Sequence, residues 1–312
     1  MRTVTRLALL AAAALALTAV AIPANAAVPG DNGLIAFASS RTGHFEIFAM
    51  NPGGNHVTQL TAFNKRSRGP AVSPDGRRIA FSSTLYSGNL QIYVMNADRS
   101  NVTRLTFDAA TDANPTWSPD GTRLAFESNK KGYAQIFVMS VDGGAVAQLT
   151  NGNQDHEGPA WSPEGARIAY GTGVNCGDCA NQTGVGNLEV HVINVDGTGD
   201  QVLESEAFIP GIALNTSRHP DWSPDGSQIT YASTGSGSLQ IWVMNADGTG
   251  PARVTNDPVS NNFPRFSPDG TKLVYQSGPA EIHVINPVGT GEKNLSDSTG
   301  ADVMPNWGPS SD

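Results

Sequence analysis

The chain has 312 residues, 39 % of them apolar and 15 % charged, with a formal net charge of −9. Eleven Phe, six Tyr and five Trp supply core material, which excludes a disordered chain, a coiled coil and a collagen-like fibre. An acidic balance without a basic run makes nucleic acid and anionic membranes poor partners. The 34 Gly and 20 Pro call for many short elements, which points to an all-β fold.

Residues 1–26 differ from the rest. Arg2 and Arg6 open the chain, Leu7 to Ile22 is a 16-residue run without a charge, and Pro23 ends it before Ala24-Asn25-Ala26. A basic start, a short apolar stretch and an A-x-A site predict a secretory signal peptide. A membrane span needs roughly 20 apolar residues. Cleavage leaves residues 27–312 with net charge −11 and no second long apolar run. An exported protein, periplasmic or extracellular and without stable membrane insertion after cleavage, is expected.

From residue 33 onward the chain repeats. Ser73-Pro74-Asp75-Gly76 recurs at 118–121, 162–165 (with Glu164), 223–226 and 267–270, and a worn sixth copy is Gly308-Pro309-Ser310. Successive starts lie 45, 44, 61, 44 and 41 residues apart. A period near 44 is that of a four-stranded propeller blade. Strand A ends in Trp-Ser at 117–118, 161–162 and 222–223, with Val72, Phe266 and Trp307 in the same place. Strand B begins at Leu34, Ile79, Leu124, Ile168, Ile229 and Leu273, and strand C runs as Gln91-Ile-Tyr-Val-Met95 and its counterparts. Strand D is shorter, as in Val57–Leu60 and Val102–Leu105. The β-branched and aromatic content suits buried, pleated strands.

The tetrapeptide has a mechanism. Pro sets φ for the first corner of a type I turn, Asp suits the second, and Gly takes the left-handed conformation that closes a three-residue hairpin. Asn245-Ala246-Asp247-Gly248 repeats the device between strands C and D, where Arg99 replaces the Gly of the second blade; mild strain is expected there. The chain opens on a B strand and closes on an A strand. One blade must therefore join the C-terminal strand to the N-terminal three, closing the ring. The predicted fold is a six-bladed, all-β propeller over residues 27–312.

These W-S-P-D-G, I-A-F, Q-I-Y-V-M-N and L-T stretches resemble the β-propeller repeats of the TolB family of the bacterial Tol system, over residues 33–308. The same architecture occurs in propellers of prolyl oligopeptidase-type peptidases and of oligogalacturonate lyases. Seven residues separate the cleavage site from the first strand, so neither an N-terminal α/β domain nor a hydrolase domain is expected, and the propeller stands alone. The resemblance implies a binding module.

Strand direction puts A–B and C–D turns on one face, and B–C and D–A connections on the other. The second face varies. Leu203 to Pro220 spans 17 residues where the other blades use 10, and Tyr170 to Glu189 spans 19. Both insertions belong to the fourth blade, and insertions in repeats collect on binding faces. The candidate binding residues are Phe208 and Ile212 in the second insertion, Arg218 and His219 beside it, and His156, Glu157, Asp112 and Asp302 on the loops entering the blades. His191 and His283 fall within strand C and are read as packed or surface positions. Cys176 and Cys179 are expected to form a disulfide stapling the first insertion. Carboxylates and imidazoles at the channel mouth could take a divalent cation, as His does in the lyase-like propellers, but no cofactor is expected. No G-x-S-x-G, H-E-x-x-H or phosphate-binding glycine loop occurs. The expected function is capture of a protein or peptide partner by a monomer. The alternatives are a polysaccharide lyase or hydrolase acting at the channel mouth, and a structural accessory to another protein.

Overall fold

In the computed structural model, residues 30–173, 188–206, 219–234 and 238–311 are described. They form six four-stranded antiparallel sheets and, among the described residues, no helix. Blade 1 contains β1 (Asn32–Ser39), β2 (Glu46–Met50) and β3 (Thr58–Gln59). Blade 2 is β4 (Ser67–Val72), β5 (Arg78–Ser83), β6 (Gln91–Asn96) and β7 (Thr103–Arg104). Blade 3 is β8 (Asp112–Trp117), β9 (Arg123–Lys131), β10 (Tyr133–Ser140) and β11 (Ala147–Gln148). Blade 4 is β12 (Asp155–Trp161), β13 (Arg167–Gly173), β14 (Leu188–Asn194) and β15 (Gln201–Glu206). Blade 5 is β16 (Asp221–Trp222), β17 (Gln228–Ser233), β18 (Gln240–Asn245) and β19 (Ala252–Arg253). Blade 6 is β20 (Asn261–Phe266), β21 (Leu273–Ser277), β22 (Glu281–Ile285) and β23 (Lys293–Asn294). The last strand, β24 (Asp302–Pro309), returns to pair with β1 and completes blade 1.

The closure has the expected partners. Ile35 faces Trp307, Ala36 faces Asn306 and Ala38 faces Val303. The tetrapeptide turns also behave as their residues dictate. Gly76, Gly121, Gly165, Gly226 and Gly270 all have φ between 67° and 73°. The Ser223 hydroxyl donates to Asp225 Oδ1 at 2.6 Å, and the Ser227 amide donates to the same oxygen at 3.0 Å. These bonds hold the Asp225 carboxyl below its usual range. Arg99 adopts the left-handed conformation of the glycines it replaces, with φ 76°.

Neighbouring blades meet through apolar faces. Ile35, Phe37 and Met50 of blade 1 pack with Val274 and Ile282 of blade 6. Ala71, Ile92 and Val94 of blade 2 pack with Trp117 and Phe126 of blade 3. The Trp that ends strand A is part of this mortar. Arg78 stacks over Trp117 at 4.6 Å, Arg123 over Trp161 at 4.6 Å and Arg167 over Trp222 at 4.8 Å, each guanidinium reaching from one blade to the next. Such contacts contribute roughly 0.5–1 kcal/mol when exposed and more when desolvated.

Candidate functional site

Strand A lines the axis of the ring. Four residues before each turn Ser, or its counterpart Gly308, it carries a left-handed residue followed by Pro: Gly69, Asn114, Gly158, His219, Phe263 and Met304, with φ between 40° and 62°. The pairing register between strands A and B shifts at this point in blades 1, 2, 3, 4 and 6. Pro lacks the N–H a ladder needs, and an inner edge strand with a bulge tolerates it. A left-handed Phe, Met or His is costly and persists only where the surroundings impose it. Blades 2 to 4 place the small residues on the ring; blades 5, 6 and 1 place His219, Phe263 and Met304.

At this ring lies a cavity of about 30 Å³, bordered by Asn114, His219, Phe263, Arg265, Met304 and Asn306. That admits one or two waters. The His219 and Phe263 rings touch with centroids 4.0 Å apart and planes tilted by 43°, and Arg265 Nη1 donates to the Pro220 and Pro264 carbonyls at 3.2 and 3.1 Å.

Above the ring, blades 3 and 4 bring three carboxylates together. Glu127 accepts from the Gly158 amide at 2.5 Å and from Asn114 Nδ2 at 2.9 Å. Burial, with Asp155 nearby, raises its carboxyl to about 7, although those bonds and Arg265 oppose the shift. Burial, then the charges of Glu127 and Asp155, raises Glu157 to about 8. Glu127 is absent from the sequence-level candidates. It lies on strand B of one blade and meets strand A of the next, and a charged residue at that strand position is its only sequence signal.

The other candidates are distributed differently from expectation. Asp112, His156, Glu157 and Asp302 are not on loops; each lies in the first residues of its A strand, which continues beyond the bulge to pair with the far end of strand B. Asp302 is fully buried and bound through both oxygens to Arg41 Nη2 at 2.9 and 2.8 Å. Asp112 is buried inside blade 3, and burial raises its carboxyl against the pull of Ser128 and Thr106. His156 is buried against Tyr170 at 5.1 Å, and burial followed by the His191 charge lowers it to about 4. Among the described candidates His219, separated from β16 by Pro220, is the one on the ring itself. Phe208, Ile212, Arg218, Cys176 and Cys179 lie outside the described residues. Among the described residues no group of three or more His, Cys, Asp or Glu is arranged to hold a metal.

His191 and His283 are held in strand C by carboxylates. His191 contacts Asp200 at 3.1 Å and Glu189 at 2.9 Å; His283 contacts Glu292 at 2.9 Å and Glu281 at 3.4 Å. Tyr170 and Tyr275 donate to the same Asp200 and Glu292, at 2.9 and 2.6 Å.

A second surface feature is aromatic. Tyr86 and Phe107 are each 74 % exposed and Tyr133 46 %, and they are the exposed large aromatics among the described residues. Tyr86 stands on the B–C connection of blade 2 and Phe107 on the D–A connection entering blade 3, while Tyr133 opens β10 beside the B–C turn of blade 3; exposed Lys65, Arg66 and Lys131 lie on the same face.

A ring of six four-stranded blades, closed by pairing of its terminal strands, defines a β-propeller. The chain belongs to the TolB β-propeller domain family, whose pattern matches residues 57–181 and 187–312. It is 32 % identical over 132 residues to the Tol-Pal system protein TolB of Anaeromyxobacter dehalogenans, a match covering 41 % of this chain and 28 % of that protein. The chain thus spans under a third of the length of that curated relative. TolB from Acinetobacter baumannii superposes with TM-score 0.70 at 19 % identity, over 89 % of this chain and 67 % of that one. An oligogalacturonate lyase in complex with manganese superposes with TM-score 0.54 at 15 % identity, over 86 % and 74 %. At these identities the superpositions show the fold alone.

Proposed function

We propose that this protein is exported and captures a protein or peptide partner on the face that carries the B–C and D–A connections. The observation that carries the reading is that the exposed large aromatics among the described residues, Tyr86, Phe107 and Tyr133, all lie at that face. Clustered exposed apolar groups mark contact sites, and aromatic residues are enriched at interfaces. The small volume of the axial cavity, about 30 Å³, agrees with contact on a face. Family membership adds to it, because the matched relative is a component of the Tol-Pal system. The signal-like residues 1–26 support export, and the sequence expectation that the fourth-blade insertions with Phe208 and Ile212 belong to that face agrees with the reading.

The experiment is affinity capture from the cell envelope and culture medium, followed by reconstitution with the purified captured protein. Two variants are compared with the intact protein: Tyr86→Ser with Phe107→Ser and Tyr133→Ser, and Phe208→Ser with Ile212→Ser. At least tenfold weaker binding with an unchanged melting temperature is expected from one of them. Binding unchanged in both, with both folded, overturns the reading.

A further inference from the structure

The repeat departs from its own glycine rule at Arg99, and a groove lies beside it. In each C–D turn the fourth residue is left-handed, and in blades 1, 5 and 6 it is pressed against the end of strand D in the preceding blade; a Cβ at Gly197 of blade 4 would lie 3.6 Å from the Leu149 carbonyl oxygen, and one at Gly143 of blade 3 would meet open space. A Cβ at Gly54 would stand 2.7 Å from the Leu295 carbonyl oxygen, one at Gly248 2.7 Å from that of Leu203, and one at Gly289 2.7 Å from that of Val254. Glycine is therefore what lets these turns close against the neighbouring blade. The counterpart of Leu295 in blade 1 is Leu60, and the residue facing it is Arg99. With a Cβ in place the turn of blade 2 cannot close to that distance. A groove of about 280 Å³ separates it from blade 1, lined by Leu34, Ala49, His56, Thr58, Leu60, Ala97, Asp98 and Arg99.

The lining has a definite chemistry. Leu34, Ala49 and Leu60 make an apolar floor. Arg99 and His56 stand at its edge, both exposed and both left-handed, with φ 76° and 55°. Asp98 is the one acid in the lining; its Oδ1 accepts from the amide and hydroxyl of Ser100 at 2.9 and 2.6 Å. Strained left-handed residues gather where a ligand is held. The volume lies just under the roughly 300 Å³ at which small-molecule sites begin. We propose that this lateral groove, on the A–B/C–D side and separate from the partner-binding face, binds a carboxylate that carries a short aliphatic chain. The aliphatic part covers Leu34, Ala49 and Leu60, and Arg99 takes the carboxylate in its planar fork. A free acylated amino acid and a peptide C-terminus ending in an aliphatic residue share that chemistry.

The test is a titration of the ¹⁵N-labelled protein followed by amide shifts. The probes are N-acetyl-leucine, a pentapeptide ending in Leu with a free carboxylate, and the same pentapeptide as its C-terminal amide. Saturable shifts confined to residues 34, 49, 56–60 and 97–99 are expected, at least tenfold weaker with the amide. Tighter binding by the peptide than by N-acetyl-leucine identifies a chain terminus as the ligand; the reverse identifies a free small acid. Arg99→Gly removes the guanidinium and allows the closer turn of blades 1, 5 and 6, and it should abolish the shifts while keeping or raising the melting temperature; Arg99→Lys should retain binding within about tenfold. Equal affinity for acid and amide, shifts centred elsewhere, no saturable shifts with any probe, or undiminished binding in the folded Arg99→Gly variant overturns the proposal.

Discussion

Glu157 is a carboxylate held where a charge is costly. It sits on the inner strand of blade 4 with Glu127 and Asp155 close by, and burial with their charges raises it to about 8 from an ordinary value of 4.5. Glu127 is raised to about 7. Both folded values exceed the unfolded one, so the native state holds protons more tightly. The resulting stabilisation is fully present below the unfolded value, near pH 4.5, and is lost as pH rises through 7 and 8. Glu157→Gln removes one repulsive charge. Its melting temperature should match the parent at pH 4, exceed it by roughly 2–4 °C at pH 8, as about 1 kcal/mol does in a domain of 150–250 residues, and fall less between them. Circular dichroism melts across that range check this; an unaltered pH profile would refute it. The turn residues were legible in the sequence because Pro, Asp and Gly act within four positions. The Glu127–Glu157 pair was not, because it forms only when two blades are brought together.

At the scale of the strands, the recurring L-T and Q-I-x-V-M motifs do more than supply β propensity. The threonine does not extend strand D; it caps it. The Ile136 amide of strand C donates to the Thr150 hydroxyl at 2.9 Å, and that hydroxyl donates to Gln135 Oε1 at 3.1 Å. Gln135 Nε2 then holds the Gln154 carbonyl at 3.0 Å, fixing the D–A connection. Blade 5 repeats the set with Ile241, Thr255 and Gln240 at 2.9 and 2.7 Å. Thr150→Val keeps the shape and strands a buried amide and a buried carbonyl. It should cost about 1–3 kcal/mol, while Thr150→Ser keeps most of the stability; urea midpoints decide between this and a loss common to both. The motifs were visible as strand markers. Their polar bookends, and the continuation of strand A past its bulge to Asp112, His156 and Asp302, required the register. One signal for the bulge was present, the Pro at 70, 115, 159, 220, 264 and 305 in all six repeats.

At the scale of the whole ring, the order of strands in the chain was enough to foresee the closure, since a chain that opens on B and ends on A can complete six blades in one way. The structure adds what the closure protects. Ile35 and Phe37 are fully buried beneath Trp307 and Val274 in one cluster, and Arg41 of the first hairpin neutralises the buried Asp302 carboxylate. Deleting residues 302–312 removes β24, uncovers that cluster, leaves Arg41 without its acid and exposes the edge of β1. Burying one large apolar side chain is worth roughly 1.5–3 kcal/mol, and several are uncovered together. The truncated protein should melt at least about 10 °C below the intact one and associate in a concentration-dependent way through its free edge. Removing only residues 311 and 312 leaves every β24 pairing in place and is the control for a shortened terminus. A full deletion that melts with the control and stays monomeric in sedimentation would mean that the remaining strands hold the ring without their closing partner.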